Sequence, residues 1–302
     1  MSRLNGHSMT RLFAFGCSFT NNNLWPTWAD ILGRGFDYYK NWGKAGAGNS
    51  FIFYSLIECI KREHISNTDV VMVMWTSIAR EDRYIRNRKW ITPGSIYNQE
   101  IYNSNFVEQF ADPTGYLIRD MAHIAAARQI LQSIGCRFYF LTTVPLAMYD
   151  DNIDSRFSID NRIINLYKEE IDILKPSVYS VVFNEDWYSR PGFVDNEELK
   201  RQYTICAGSS WPSWDKFINS DFTHIPAAIK KEIEEQEFTK KLMIRSDTHP
   251  LPTEHLIYID KILPEMSVSI DTKVLVEITT EQILQHRPLE KWWVKNRSPE
   301  RF

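Results

Sequence analysis

The sequence contains no C-x-x-C pair, no cluster of histidines and no apolar run of about 18 residues. Its four cysteines (Cys17, Cys59, Cys136 and Cys206) stand far apart. That spacing argues against a zinc site or a disulfide framework and for a reducing compartment. Without a long apolar run there is no transmembrane helix. Met1–Thr10 is polar and lacks the apolar stretch of a secretory signal, so a cytoplasmic location is expected, with Met9 an alternative start. Charge of one sign is also missing. Lys and Arg number 35 against 38 Asp and Glu, a net charge of −3, which argues against a dedicated nucleic-acid binder. No repeat and no low-complexity segment interrupts the chain.

What remains is an ordinary globular composition, 43% apolar and 14% aromatic over 302 residues. A chain this long buries about three quarters of its unfolded surface and folds without covalent staples. Apolar runs and helical periodicity alternate in the first half. Strands are expected over Arg11–Gly16, Phe36–Trp42, Asp69–Trp75 and Arg137–Thr143, with helices over Trp25–Leu32, Ser50–Glu63 and Gly115–Ile134. Asp69–Trp75 is almost continuously apolar, as a strand covered on both faces must be. Strand–helix–strand units in series imply parallel pairing and right-handed crossovers, hence a three-layer α/β/α sandwich around a central parallel sheet. Residues 81–113 and 150–240 break the rhythm and read as insertions over one edge of that sheet. Within the second, Ala227–Met243 reads as a charged surface helix. A last core helix is expected over Glu254–Leu263 and an extra strand over Lys273–Ile278. We expect one domain over residues 9–270 and a C-terminal extension over 271–302.

Ser18 stands directly past the first strand in Phe15-Gly16-Cys17-Ser18-Phe19-Thr20. Parallel sheets place their ligand crevices at such strand ends, although a turn-forming serine is common there too. Three further segments follow in order: Asn41–Asn49 (NWGKAGAGN), Val71–Arg80 (VMVMWTSIAR) and Ser246–Pro250 (SDTHP). Together the four resemble the ordered blocks of the SGNH/GDSL hydrolase superfamily, in the branch carrying a GCSFT motif, many of whose members come from phages and bacteria. The resemblance covers roughly residues 11–80 and 244–262. It implies a flavodoxin-like sheet and ester hydrolysis by Ser18 with His249 as base and Asp247 holding its tautomer, with no metal or organic cofactor. Cys17 fills the place where many members carry Asp and is expected to pack as a small buried residue. Gly46 fits the oxyanion-hole glycine, where a bare backbone N–H can approach a developing oxyanion; Gly43 and Gly48 are the alternative registers. The third block departs from the family's Gly-x-Asn-Asp because no Asn is present. Thr76 or Ser77 could supply a hydroxyl in its place, and Arg80 a charge, or Arg80 could be a salt-bridged structural residue. The last block is one residue shorter than the usual Asp-x-x-His. His255 is expected on a helix face or in the core.

The implied substrate is a small ester or an acylated glycan, with O-deacetylation of carbohydrate the leading form. The contrasting reading is a weak or inactive module of the same fold that binds glycan or builds an assembly such as a phage particle, which would bring virion association. Aromatics over Phe183–Phe222 suit either stacking on sugar rings or a satellite core. The tail His286–Phe302 sets five basic residues and Trp292-Trp293 against two Glu. It is expected to dock on the protein's own body, on another subunit of a homo-oligomer or an assembly partner, or, less in keeping with the charge balance, on nucleic acid.

Overall fold

The computed structural model describes residues 10–22, 26–86, 89–97, 101–147, 159–185, 249–266 and Val274. They fall into two compact units. Of the described residues, one unit takes those up to Asn21 and those within Ala29–Val178; the other takes Asn22, Pro26–Trp28, Tyr179–Glu185, His249–Met266 and Val274.

The first unit is organised by four parallel strands: β1 (Arg11–Phe15), β2 (Tyr38–Asn41), β3 (Val70–Trp75) and β4 (Arg137–Thr142). Their order across the sheet is β2-β1-β3-β4. Every residue of β3 is buried, and so are Leu12–Phe15 of β1, because these are the two inner strands. The edge strands β2 and β4 alternate or begin exposed. The apolar run in the sequence and the central place in the sheet are one fact seen twice. β1 pairs with β2 through Phe13 opposite Lys40, and with β3 through Phe13 opposite Val71.

Helix α1 (Trp28–Gly33) connects β1 to β2, α2 (Asn49–Glu63) connects β2 to β3, and α4 (Pro113–Ile134) precedes β4. The chain steps from β1 outward to β2, then returns past β1 to β3. Right-handed crossovers therefore put α1 on one face and α2 with α4 on the other; α2 and α4 pack together. The reversal between β1 and β3 is the topological switch point, and the crevice of an open α/β sheet opens outside the carboxyl ends of those strands.

The expected helix from Gly115 begins two residues earlier. Asp112 caps it by accepting the Gly115 N–H at 2.6 Å, and Pro113 occupies the first turn, where its missing donor costs nothing. Gly135 closes it at φ +78°, with its N–H shared by the carbonyls of Leu131 and Gln132. The insertion at 81–113 holds regular structure that periodicity did not reveal: a hairpin of β5 (Arg83–Ile85) with β6 (Lys89–Ile91), numbered after the sheet strands, and α3 (Ser104–Phe110). Three-residue strands are too short to show a period. Beyond β4 come the short helices α5 (Asn161–Leu166) and α6 (Lys168–Asp172).

In the second unit α8 (Pro252–Ile262) realises the expected last helix, with Glu254 accepting from the Leu251 N–H at 2.8 Å. α7 (Val178–Val182) spans the division between the units. Of the strand expected over Lys273–Ile278 only Val274 is described, and it is helical; alternation over so short a stretch does not separate strand from helix. The charged helix over Ala227–Met243, the aromatic insertion from Trp187 to Phe222, Cys206 and the tail from His286 lie outside the described residues. Among the described residues no helix is long and apolar enough to cross a membrane, and no group of three or more acidic, His or Cys side chains could hold a metal.

Candidate active site

Three loops converge at the carboxyl ends of β1, β2 and β3. After Phe15 the chain turns sharply: the N–H groups of Thr20 and Asn21 both donate to the Cys17 carbonyl, at 2.9 and 3.0 Å. A Cβ on Gly16 would lie 2.0 Å from Thr20 Oγ1 and 3.1 Å from the Met74 carbonyl, so only glycine lets the turn close against β3. Ser18 sits half-buried on this turn, while Cys17 is a fully buried free thiol, as expected of a packing residue.

The second loop is stitched to the first. Lys44 N–H donates to the Gly16 carbonyl at 3.0 Å, and Asn21 Nδ2 to the Gly43 carbonyl at 2.8 Å. Buried Asn41 donates to the Thr20 carbonyl at 2.6 Å and accepts the Gly43 N–H at 2.9 Å. The three glycines of this loop are then distinguishable. The N–H of Gly43 is taken by Asn41, and that of Gly48 by Asp82 Oδ1 at 2.9 Å. Gly46 N–H donates to no atom among the described residues. Gly46 is also the one in the left-handed region, at φ +73°, where an added Cβ would meet the Thr92 carbonyl at 2.0 Å.

The third loop, Thr76–Asp82, is held from beneath by side chains. Asn49, fully buried at the start of α2, accepts the Thr76 N–H and donates to the Thr76 carbonyl, both at 2.8 Å. Its Nδ2 also donates to Asp120 Oδ2 at 2.7 Å. Thr76 is fully buried, and its hydroxyl accepts from Thr143 at 3.3 Å. Ser77 is half-buried, with Oγ accepting the Ala79 N–H at 3.2 Å, which leaves its hydroxyl proton to donate elsewhere. Arg80 donates to the Ala47 carbonyl at 3.0 Å and so ties the third loop to the second.

Two carboxylates that spacing did not single out complete the frame. Asp82 accepts from Gly48 and Phe51, both at 2.9 Å, and caps an α2 whose own N-cap residue is a glycine. Burial raises its pKa while those two N–H groups pull it back. Asp120 on α4 is fully buried. Desolvation raises its pKa to about 6 against the opposing pull of Arg119 and Asn49. Arg119 donates to Asp120 at 2.7 Å, to Glu81 at 3.2 Å, and to the carbonyls of Ile78 and Arg80. Beside this network a pocket of about 340 Å³ opens between Ser50, Glu81, Arg83, Phe110, Tyr116 and Arg119.

Ser18, Gly46, Thr76, Ser77 and Arg80 all belong to the first unit, on loops joined by the bonds above. His249 belongs to the second unit and is half-buried ahead of α8. Asp247 lies outside the described residues. His255 is buried in α8, and desolvation, then the charge of His249, lowers its pKa to about 3. That is the core role expected of it.

No family model matches the chain, and no curated protein does. Among solved structures, the chain is similar to a member of the lipolytic protein G-D-S-L family from Veillonella parvula, at 15% identity and a TM-score of 0.33, covering 58% of this chain and 81% of that one. It is also similar to a GDSL-like lipase from Bacteroides thetaiotaomicron, at 13% identity and a TM-score of 0.28, covering 64% and 76%.

Proposed function

We propose that the protein is a serine ester hydrolase of the SGNH type that removes a small acyl group, in the leading form acetyl from a carbohydrate hydroxyl. The observation that carries this reading is Ser18 at the β1/β3 switch point, on a turn bonded to a loop where, among the described residues, Gly46 alone of three glycines keeps its N–H without an acceptor. Ser18 Oγ attacks the ester carbonyl while His249 takes its proton and Asp247 fixes the imidazole tautomer. Charge on the tetrahedral oxygen is met by Gly46 N–H and the Ser77 hydroxyl. The hydroxyl of Ser77 stands in for the Asn missing from the third block, and Thr76 and Arg80 shape the loop that carries it. Collapse expels the alkoxide, which receives the proton from His249. Water, deprotonated by the same imidazole, then releases the acid and restores Ser18.

A fluorophosphonate probe tests the reading in one step. Wild type should gain one covalent adduct on Ser18, and Ser18→Ala none. Absence of an adduct on folded wild type would overturn it in favour of an inactive binding module of the same fold.

A further inference from the structure

The hairpin of β5 and β6 has no part in the mechanism above, yet it is fastened to the loop that supplies the oxyanion glycine. Lys44 Nζ donates to the Trp90 carbonyl at 3.1 Å, Thr92 Oγ1 to the Ala45 carbonyl at 3.0 Å, and Gly94 N–H to the Gly46 carbonyl at 3.0 Å. Tyr84 and Trp90 are directly opposed across the two strands, ring centroids 5.5 Å apart at 70°. Trp90 continues the row onto α2, with its ring 5.5 Å from Tyr54. Both outer rings reach solvent: Tyr84 is 51% exposed, and Tyr54, whose ring also meets His123 at 5.9 Å between centroids, is 48% exposed. Arg86 and Lys89 at the hairpin tip are exposed, and neither forms an ion pair among the described residues. The third described cation of the hairpin, Arg83, is already matched by Glu81 at 2.9 Å.

We propose that Tyr84, Trp90, Tyr54 and the cations Arg86 and Lys89 form a subsite for an anionic sugar chain, whose acyl ester is thereby presented to Ser18. This rests on the hydrolase reading and names its substrate class. Aromatic faces left half in water suit the C–H face of a sugar ring, and sparse cations suit a chain with one carboxylate per residue. The protein's net charge of −3 repels polyanions in general, so attraction must come from a local cation site such as this one. A nucleic acid would require a longer basic track than the two unmatched cations among the described residues of the hairpin provide. The fastening through Lys44, Ala45 and Gly46 holds such a chain next to the acyl-transfer centre instead of on a remote face.

Affinity electrophoresis of the full chain in gels containing acetylated polygalacturonate or neutral acetylated glucomannan tests the subsite, with p-nitrophenyl acetate turnover measured in parallel. Wild type should be retarded by the anionic polymer, by less than half as much at about 0.5 M salt, and only weakly by the neutral one. Tyr84→Ala and the pair Arg86→Ser/Lys89→Ser should each weaken retardation by about tenfold in affinity, with turnover of the small ester unchanged. Ser18→Ala should bind as wild type does. Circular dichroism melts identify any variant that fails to fold, and Arg86→Ser alone, at an exposed turn position, keeps the test open in that event. Variants that bind like wild type, equal retardation by the neutral polymer, or tighter binding of a single-stranded oligonucleotide would each overturn the subsite. Variant-sensitive binding with no small-ester turnover would uphold the subsite and overturn the hydrolase reading instead.

Discussion

The second and third loops leave the same edge of the sheet, and opposite means shape them. In Asn41–Asn49 the chain takes its path because side chains are missing: Gly43, Gly46 and Gly48 each sit where a Cβ would meet another atom at 3.0 Å or less. In Thr76–Asp82 it takes its path because buried side chains seize the backbone, Asn49 clamping Thr76 and Arg119 holding the carbonyls of Ile78 and Arg80. Among the described residues the Gly46 N–H of the second loop donates to no atom, while the first N–H of the third loop is committed to Asn49.

The largest effect should come from the turn that both loops face. Ser18→Ala is expected to reduce ester turnover at least about 10⁴-fold, while Cys17→Ala leaves most of it and costs on the order of 1 kcal/mol of stability. If Cys17→Ala proved the more damaging change in a folded protein, the serine mechanism would be wrong.

Gly46→Ala sharpens the contrast within the second loop. It forces a left-handed residue to carry a Cβ against the Thr92 carbonyl, so the loop must move and its N–H with it. Turnover should fall about 10²–10³-fold. Gly43→Ala and Gly48→Ala, whose N–H groups are occupied, should lower the melting temperature with a smaller loss of turnover. Equal losses at all three positions would remove the distinction drawn for Gly46.

The third loop should fail in the other currency, stability. Asn49→Ala strands the Thr76 N–H and carbonyl and one oxygen of Asp120 in a dry interior. The cost should be about 3 kcal/mol in urea unfolding, with Asn49→Asp no better because a second carboxylate would face Asp120. A change under about 1 kcal/mol would mean that the clamp is not what holds the loop.

The glycine-shaped loop was legible in the sequence and the clamped loop was not, for a physical reason. A glycine cluster after a strand is a local signal, and so are the apolar run of β3 and the Gly135 stop of α4. The bonds of Asn49 reach 27 residues to Thr76 and 71 to Asp120, and those of Asp82 reach back 34 and 31. Nothing in Arg80-Glu81-Asp82-Arg83 marks the second acid as the cap of a helix begun more than thirty residues earlier. The run reads equally well as a solvated charged turn. The hairpin escaped for a different reason, its strands being shorter than the two periods needed to show alternation. What can be read from spacing is the position of Ser18 and of the glycines, while the frame that fixes the third loop exists only in the folded chain.

The smallest effect separates the two units by their response to acid. Asp120 holds its proton more tightly when folded, at about 6 against an ordinary 3.8, because burial disfavours its charge. The folded state then binds more protons between those values, so the group's contribution to stability falls as pH rises through that window and is recovered on acidification. His255 runs the other way. Burial lowers its pKa to about 3 from 6.5, so the unfolded state binds the proton first and stability is lost as pH falls below 6.5. Taking the protein from pH 7 to about pH 4.5 should let Asp120 return on the order of 2 kcal/mol to the unit that holds it while His255 withdraws stability from the other. Asp120→Asn removes the return, so its acid destabilisation should be steeper than wild type by about that amount; His255→Gln should be shallower. Urea unfolding at the two pH values reads both. Parallel profiles for wild type and Asp120→Asn would mean that Arg119 and Asn49 hold the Asp120 carboxyl ionised throughout, and that the third loop is braced by an ion pair at every pH.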